Sequence, residues 1–238
     1  AKAGRPNVIA TLKGEGDGYN LMLNGHLDTV EATGMTVDPF AAKVKDRCLY
    51  GRGAADMKAA LAAFIHVAEI IKQTGVKLRG NLIVSGCADE EGMAKGGEVM
   101  AKSGLDAHLA VVGEPTGMRV CIGHKGLAFI MLKTFGKATH GSAPELGVNA
   151  ILAMNRLLTA LSSELPRRFK QQCHPLLGSP TFNVGMIRGG YRANVVPDFC
   201  EVEIDRRLIP GETTQTALQE IRAVIEKARR QDSTLRVE

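Results

Sequence analysis

Leu23-Asn24-Gly25-His26-Leu27-Asp28-Thr29-Val30 continues an apolar run that begins at Asn20, and it delivers a histidine and an aspartate two positions apart. An apolar run of this length reads as a buried strand, and a strand end is where an open α/β sheet presents its ligand-binding groups. If the backbone is still extended there, His26 and Asp28 project from the same face. The Asp28 carboxylate can then accept the proton of one imidazole nitrogen and aim the other at a metal ion. Alone, such a pair describes a hydrogen-bonded loop more readily than a metal site.

Three further acidic motifs change that balance. Asp56 lies in Gly51-Arg52-Gly53-Ala54-Ala55-Asp56-Met57-Lys58, Asp89-Glu90-Glu91-Gly92 follows the apolar run Leu82–Ala88, and Gly113-Glu114-Pro115-Thr116 follows Leu109–Val112. Each motif ends an apolar segment or opens a helix, a placement that lets acids far apart in sequence converge. Each also has a plainer reading. Asp56 would serve as the N-cap of the helix after it, and the acidic triplet would serve as a solvated loop capping a helix near Gly96–Lys102. Three adjacent carboxylates inside a cleft repel one another and call for a cation.

Working outward, Ala1–Pro6 has no initiator methionine and no capped helix, and the first element expected is a strand over Asn7–Lys13. Gly14-Glu15-Gly16-Asp17-Gly18 precedes a strand rather than a helix, so it reads as a hairpin turn and not as a phosphate loop. Thr29–Arg47 has turn residues without a sustained period and reads as a long loop over a site. From Met57 to Gly75, Leu61, Phe64, Ala68 and Ile71 form a helical stripe that Gly75 would terminate. With the strands at Leu82–Ala88 and Leu109–Val112, this first part is an α/β layer.

At Gly123-His124-Lys125-Gly126 the organisation changes. A strand over Leu127–Phe135, a helix over Val148–Leu165, strands near Thr181–Ile187 and Cys200–Arg207, a helix over Thr213–Arg230 and an incipient strand at Thr234–Val237 make a split βαβ pattern. Two domains are therefore expected, 1–122 and 123–238.

The 238 residues, 45% hydrophobic, suffice for one large core or two modest domains. Charge or glycine interrupts every apolar stretch well before the ~20 residues of a membrane span, and no basic-then-apolar leader is present, so a cytoplasmic protein is expected. Five widely spaced cysteines without a Cys-x-x-Cys pair read as reduced thiols. The net charge of +5 comes from dispersed pairs such as Arg167-Arg168 and Arg229-Arg230, and aromatics are only 4% with no tryptophan. That pattern argues against nucleic acid and suits an anionic small substrate.

With His26-Leu27-Asp28, Asp56, Glu90-Glu91 and Glu114 in order and suitably spaced, the chain resembles the dinuclear zinc amidohydrolases. That family includes acetylornithine deacetylase, succinyl-diaminopimelate desuccinylase, the aminoacylases and glutamate-releasing carboxypeptidases. The resemblance implies a metallo-exopeptidase-like catalytic domain with a central mixed sheet, and a smaller ferredoxin-like α+β lid that dimerises. It implies that His26 and Glu114 bind one metal, Glu91 the other, and Asp56 bridges them, with a cis peptide from Asp56 to Met57. Asp28 would orient His26, and Glu90 would be the general base. His140 in Thr139-His140-Gly141-Ser142 resembles the histidine that reaches a neighbouring subunit's site and stabilises the oxyanion. Asn194 and Arg207 match positions that contact the substrate, and a guanidinium offers a carboxylate two parallel donors. The plainer reading of Arg207 is a salt bridge with Asp205.

Two divalent ions are thus expected, zinc first, with cobalt and manganese compatible with carboxylates and one imidazole. The expected reaction is hydrolysis of the amide of an N-acyl amino acid, closest to acetylornithine deacetylase through His124-Lys125-Gly126 and Gly147-Val148-Asn149-Ala150-Ile151. A desuccinylase, a metallo-dipeptidase or carboxypeptidase, an inactive metal-binding scaffold and a serine hydrolase built on Ser142 and His140 are the alternatives. The family's catalytic domain continues after the lid with a final histidine for the second metal, which leads to the expectation that the C-terminal part of that domain is absent here.

Overall fold

The computed structural model describes residues 4–238, so Ala1–Ala3 of the expected non-helical start lie outside the described residues. The chain forms two compact units, Ala1–Val120 and Cys121–Glu238.

In the first unit, β1 (Val8–Leu12), β2 (Leu21–His26), β5 (Leu82–Cys87) and β6 (Leu109–Val112) form one sheet in the order β1-β5-β2-β6. β1 is antiparallel to β5, while β5 and β6 flank β2 in parallel, giving a mixed sheet. α1 (Ala59–Thr74) joins β2 to β5, and the pair α2 (Glu90–Met93) and α3 (Lys95–Ala101) joins β5 to β6. The two connections leave on opposite sides of β2, which makes its carboxyl end the point where strand order reverses and a crevice opens. β2 and β5 pair from Leu21↔Leu82 to His26↔Cys87, so both strands end level. Asn24 reinforces that register by donating to Ser85 Oγ at 2.8 Å.

Helix α1 follows its apolar stripe. Leu61, Phe64, Ala68 and Ile71 are half-buried while their neighbours face outward, and Gly75 closes the helix at φ 69°. The helix lies close to the sheet at two glycines. A Cβ on Gly113 would stand 2.5 Å from Ala60 Cβ, and one on Gly25 2.9 Å from Leu61 Cδ2. Ala60 belongs to the helix and cannot swing away, so Gly113→Ala should cost about 1–3 kcal/mol. Thermal unfolding should show a clear drop in Tm, and an unchanged Tm would mean that the helix is not packed this closely.

Two expectations for this unit are corrected. Gly14–Gly18 is not a hairpin turn, because β5 lies between β1 and β2. The glycines instead let the loop lie against the segment before β5, with Glu15 N–H donating to Leu78 O and the N–H groups of Gly16 and Gly18 to Arg79 O. Thr29–Arg47 is not loop throughout. Its end enters a small hairpin of β3 (Lys43–Lys45) and β4 (Cys48–Tyr50), turned by Asp46 and Arg47 at φ 50° and 62°. The turn uses left-handed backbone without glycine, so the usual hairpin signal is missing.

The second unit carries β7 (Gly126–Phe135), α4 (Ala150–Phe169), β8 (Thr181–Gly189), β9 (Phe199–Leu208), α5 (Thr214–Gln231) and β10 (Arg236–Val237). Its antiparallel sheet has the order β10-β7-β9-β8, the ferredoxin-like arrangement of a split βαβ chain. Met154, Leu157, Leu161 and Leu165 of α4 join Ile221 and Val224 of α5 and Ile130, Val202 and Ile204 of the sheet in one core. Arg206 is fully buried there. It lies over the Phe169 ring at 4.3 Å and donates to Glu212 and Glu220, which compensate its charge.

Candidate metal centre

His26 is the last residue of β2 and only 2% of its side chain is exposed. Its ring is oriented at both nitrogens. Nδ1–H donates to the main-chain carbonyl of Asp28 at 2.9 Å, and Nε2 stands 2.9 Å from Asp56 Oδ1. The nearest oxygens of Glu90 and Glu114 are each 4.0 Å from Nε2. With Nδ1 held by a carbonyl, the Nε2 lone pair of the neutral ring faces three carboxylates, the usual setting of a ligating imidazole. The main-chain N–H of His26 points at the Sδ of the fully buried Met57 at 3.2 Å. Met57 and Lys58, whose Nζ donates to Leu27 O at 2.7 Å, brace the histidine and were not singled out from sequence.

The acids arrive from separate elements. Glu90 and Glu91 open α2 just beyond β5, and Glu114 follows β6 after Gly113, whose N–H extends the ladder to Asn24 O. Asp56 sits at φ −119° and ψ 96°, outside helical geometry, and the peptide to Met57 is cis, as the resemblance implies. Asp56 therefore does not cap α1, which has no side-chain cap. Ligand atoms of His26, Asp56 and Glu114 lie within 4.8 Å of one another, as do those of His26, Glu90 and Glu91.

Asp28 acts differently from the expectation. Its nearer carboxylate oxygen is 3.9 Å from His26 Nδ1, and the carbonyl makes the hydrogen bond instead. The strand ends at His26, so the alternation that would align the two side chains no longer applies. The freed carboxylate accepts the N–H groups of Glu90 at 3.1 Å and Glu91 at 3.2 Å. Asp89 takes a left-handed conformation at φ 64° and supplies no cap of its own. Asp28 thus caps α2 from a distance and holds both halves of the cluster, His26 through its carbonyl and the acidic pair through its carboxylate.

The cluster's charges shift its own ionisation. Burial alone would lower the His26 pKa, but its hydrogen bonds to Asp56 and to the Asp28 carbonyl, with the charges of Glu114 and Glu90, hold it above its ordinary value. Burial and neighbouring carboxylates push Glu90 and Glu114 up, against the opposing pull of His26. Carboxylates crowded this way around one imidazole form a donor set that a divalent cation would relieve, so the residues fit a metal.

At these three groups the metal-free folded chain holds more protons than the unfolded one, so their contribution to stability falls as pH rises. His26 contributes fully below its unfolded value of 6.5 and loses that contribution as pH passes its higher folded value. Glu90 and Glu114 contribute at acidic pH and lose it as they ionise. Chelator-treated protein should therefore melt lower at about pH 8 than at about pH 6, and saturating divalent metal should flatten or reverse the difference. A chelated protein that melts higher at the alkaline end would contradict this cluster geometry.

In the second unit, His140 forms an isolated antiparallel bridge with Val195, next to Asn194. Arg207 is forked onto Asp205 with two contacts of 2.8 Å, the plainer of its two readings. Ser142 Oγ is 2.7 Å from His140 Nδ1, a contact between residues two apart in which the same nitrogen also accepts the Ser142 main-chain N–H at 3.2 Å.

Residues 122–233 match the sequence profile of a peptidase dimerisation domain, and residues 7–113 match that of peptidase family M28. The acetylornithine deacetylase of Vibrio parahaemolyticus is 34% identical over 235 residues, covering 93% of this chain and 61% of the relative. Both parts of the chain thus match peptidase domains, and over most of its length the chain is similar to acetylornithine deacetylase. The Proteus mirabilis acetylornithine deacetylase is 37% identical over 89% of this chain and 55% of its own length. The chain thus spans about 55 to 61% of the curated relatives it matches. Among solved structures, a tripeptidase from Staphylococcus aureus has a TM-score of 0.70 at 26% identity, covering 98% of this chain and 60% of that one. An M20 family metallo-carboxypeptidase from Sulfolobus solfataricus has a TM-score of 0.71 at 16% identity, covering 99% and 67%, a likeness of fold. No helix among the described residues is long and apolar enough to cross a membrane.

Proposed function

We propose that this chain carries the metal-binding part of a hydrolase that cleaves the amide bond of an N-acyl amino acid, with an acetylated amino acid as the first substrate class. The observation that carries the reading is the convergence of His26, Asp56 and Glu114, with Glu90 and Glu91 beside them, near the carboxyl ends of three neighbouring strands. The relatives named acetylornithine deacetylase support the acyl class.

His26, Asp56 and Glu114 would hold one divalent ion, and Glu91 with Asp56 would take part in holding a second. Zinc is the first candidate, with cobalt and manganese fitting the same donors. Such ions supply Lewis-acid polarisation of a carbonyl and a water acidic enough to lose a proton near neutral pH. Glu90 would accept a proton from water and return it to the leaving nitrogen. His140 donates to the oxyanion, and Asn194 and Arg207 contact the substrate, Arg207 after release from Asp205. The second unit would pair two copies of the chain, in keeping with the dimerisation profile that it matches. Five free cysteines fit a reducing compartment such as the cytoplasm.

Metal analysis followed by a panel of acetyl, succinyl and peptidyl substrates tests this reading. Hydrolysis of an acetylated amino acid that chelation abolishes and added metal restores is the expected result. Preference for succinyl or peptidyl substrates would move the assignment to a desuccinylase or a metallo-dipeptidase. Chelator-insensitive hydrolysis would overturn the metal mechanism in favour of Ser142 and His140, and metal-loaded protein inert across the panel would indicate a scaffold.

A further inference from the structure

We propose that Ser142 is a positioning residue that locks His140 in the tautomer carrying its proton on Nε2, so that the ring presents a fixed N–H donor to an anionic acceptor. This rests on the reading of His140 as the oxyanion donor only for what the donor is used for. The lock itself follows from two contacts. The main-chain N–H of Ser142 donates to His140 Nδ1 at 3.2 Å, and Ser142 Oγ lies 2.7 Å from the same atom. A main-chain N–H can only donate, so the Nδ1 it meets bears a lone pair in the neutral ring, and the rotatable hydroxyl turns its own proton to that lone pair as well. Placing a proton on Nδ1 would set two N–H groups against each other. The neutral ring therefore carries its proton on Nε2, at the far side from the serine.

The backbone keeps this arrangement in place. Gly141 N–H donates to Asn194 O at 2.8 Å, Val196 N–H to Thr139 O at 2.9 Å and Ala143 N–H to His140 O at 3.0 Å. The ring is thus mounted on a segment bolted to the turn over 194–196, beside an open groove of about 620 Å³ that Gly141, Asn149, Tyr191 and Arg192 help to line. A ring free to exchange tautomers would offer an acceptor part of the time and repel a developing negative charge. A locked one meets it as a donor without rearranging, which is how prearranged dipoles stabilise an oxyanion.

The test is the nitrogen NMR spectrum of the full chain labelled with 15N-histidine, recorded above the titration range of imidazole. His140 should show a bare Nδ1 and a protonated Nε2. Ser142→Ala, which keeps the main-chain donor and removes the hydroxyl, should move both resonances toward the averaged positions of an exchanging ring, and Ser142→Thr should restore them. A protonated Nδ1 in the parent protein would overturn the lock, and resonances that Ser142→Ala leaves in place would overturn the part given to the Ser142 hydroxyl. In the metal-loaded enzyme, Ser142→Ala should lower kcat several-fold with KM unchanged, against about 10²-fold for His140→Ala. A ring locked by spectrum whose removal leaves kcat intact would uphold the Ser142 role and overturn the oxyanion reading of His140.

Discussion

Glu90→Gln is expected to lower kcat by about 10³-fold while the metal content stays as in the parent protein. The amide keeps the size of the side chain and removes its capacity to accept a proton, so the loss isolates the proton transfer. The metal measurement matters because Glu90, Glu91 and His26 lie within ligand distance of one another. If Glu90→Gln loses metal along with activity, Glu90 is a ligand and the base lies elsewhere. A variant that turns over at the parent rate removes Glu90 from the reaction altogether.

Asp28→Ala should weaken metal binding and turnover together, each by about 10- to 100-fold, the usual effect of losing a group that orients ligands. The carbonyl that holds His26 Nδ1 survives the substitution, whereas the N–H groups of Glu90 and Glu91 lose their acceptor. The damage should therefore concentrate on the acidic pair. Asp28→Asn retains one acceptor oxygen and should fall between parent and alanine. Parent-like metal affinity in Asp28→Ala, measured by competition with a chelating dye, would show that the Glu90–Glu91 turn holds itself.

Much of this site can be read from residue order. The strands ending near His26, Cys87 and Val112 follow from apolar runs interrupted by acids, and the half-buried stripe of α1 follows from helical spacing. What spacing does not encode is which atom of a residue makes the bond. Asp28 carries two acceptors, one on the side chain and one on the main chain, and the turn after His26 decides between them. The same limit applies to Gly14–Gly18, where glycines that suit a hairpin serve instead for close contact with Leu78 and Arg79. The hairpin at Asp46–Arg47 lacks the glycine that would announce it. Met57 escapes a reading based on charge because its thioether faces a main-chain N–H inside the core.

The level pairing of β2 with β5, from Leu21↔Leu82 to His26↔Cys87, makes the sheet a ruler for the chemistry above it. One residue inserted within β5 would advance the chain by about 3.3 Å and turn its side chains to the opposite face. The ladder could heal, yet Glu90 and Glu91 would be carried out of reach of His26. An insertion in the loop over 29–42 changes no distance among these groups. Length changes in natural homologues should accordingly collect in that loop and avoid the interior of the strands.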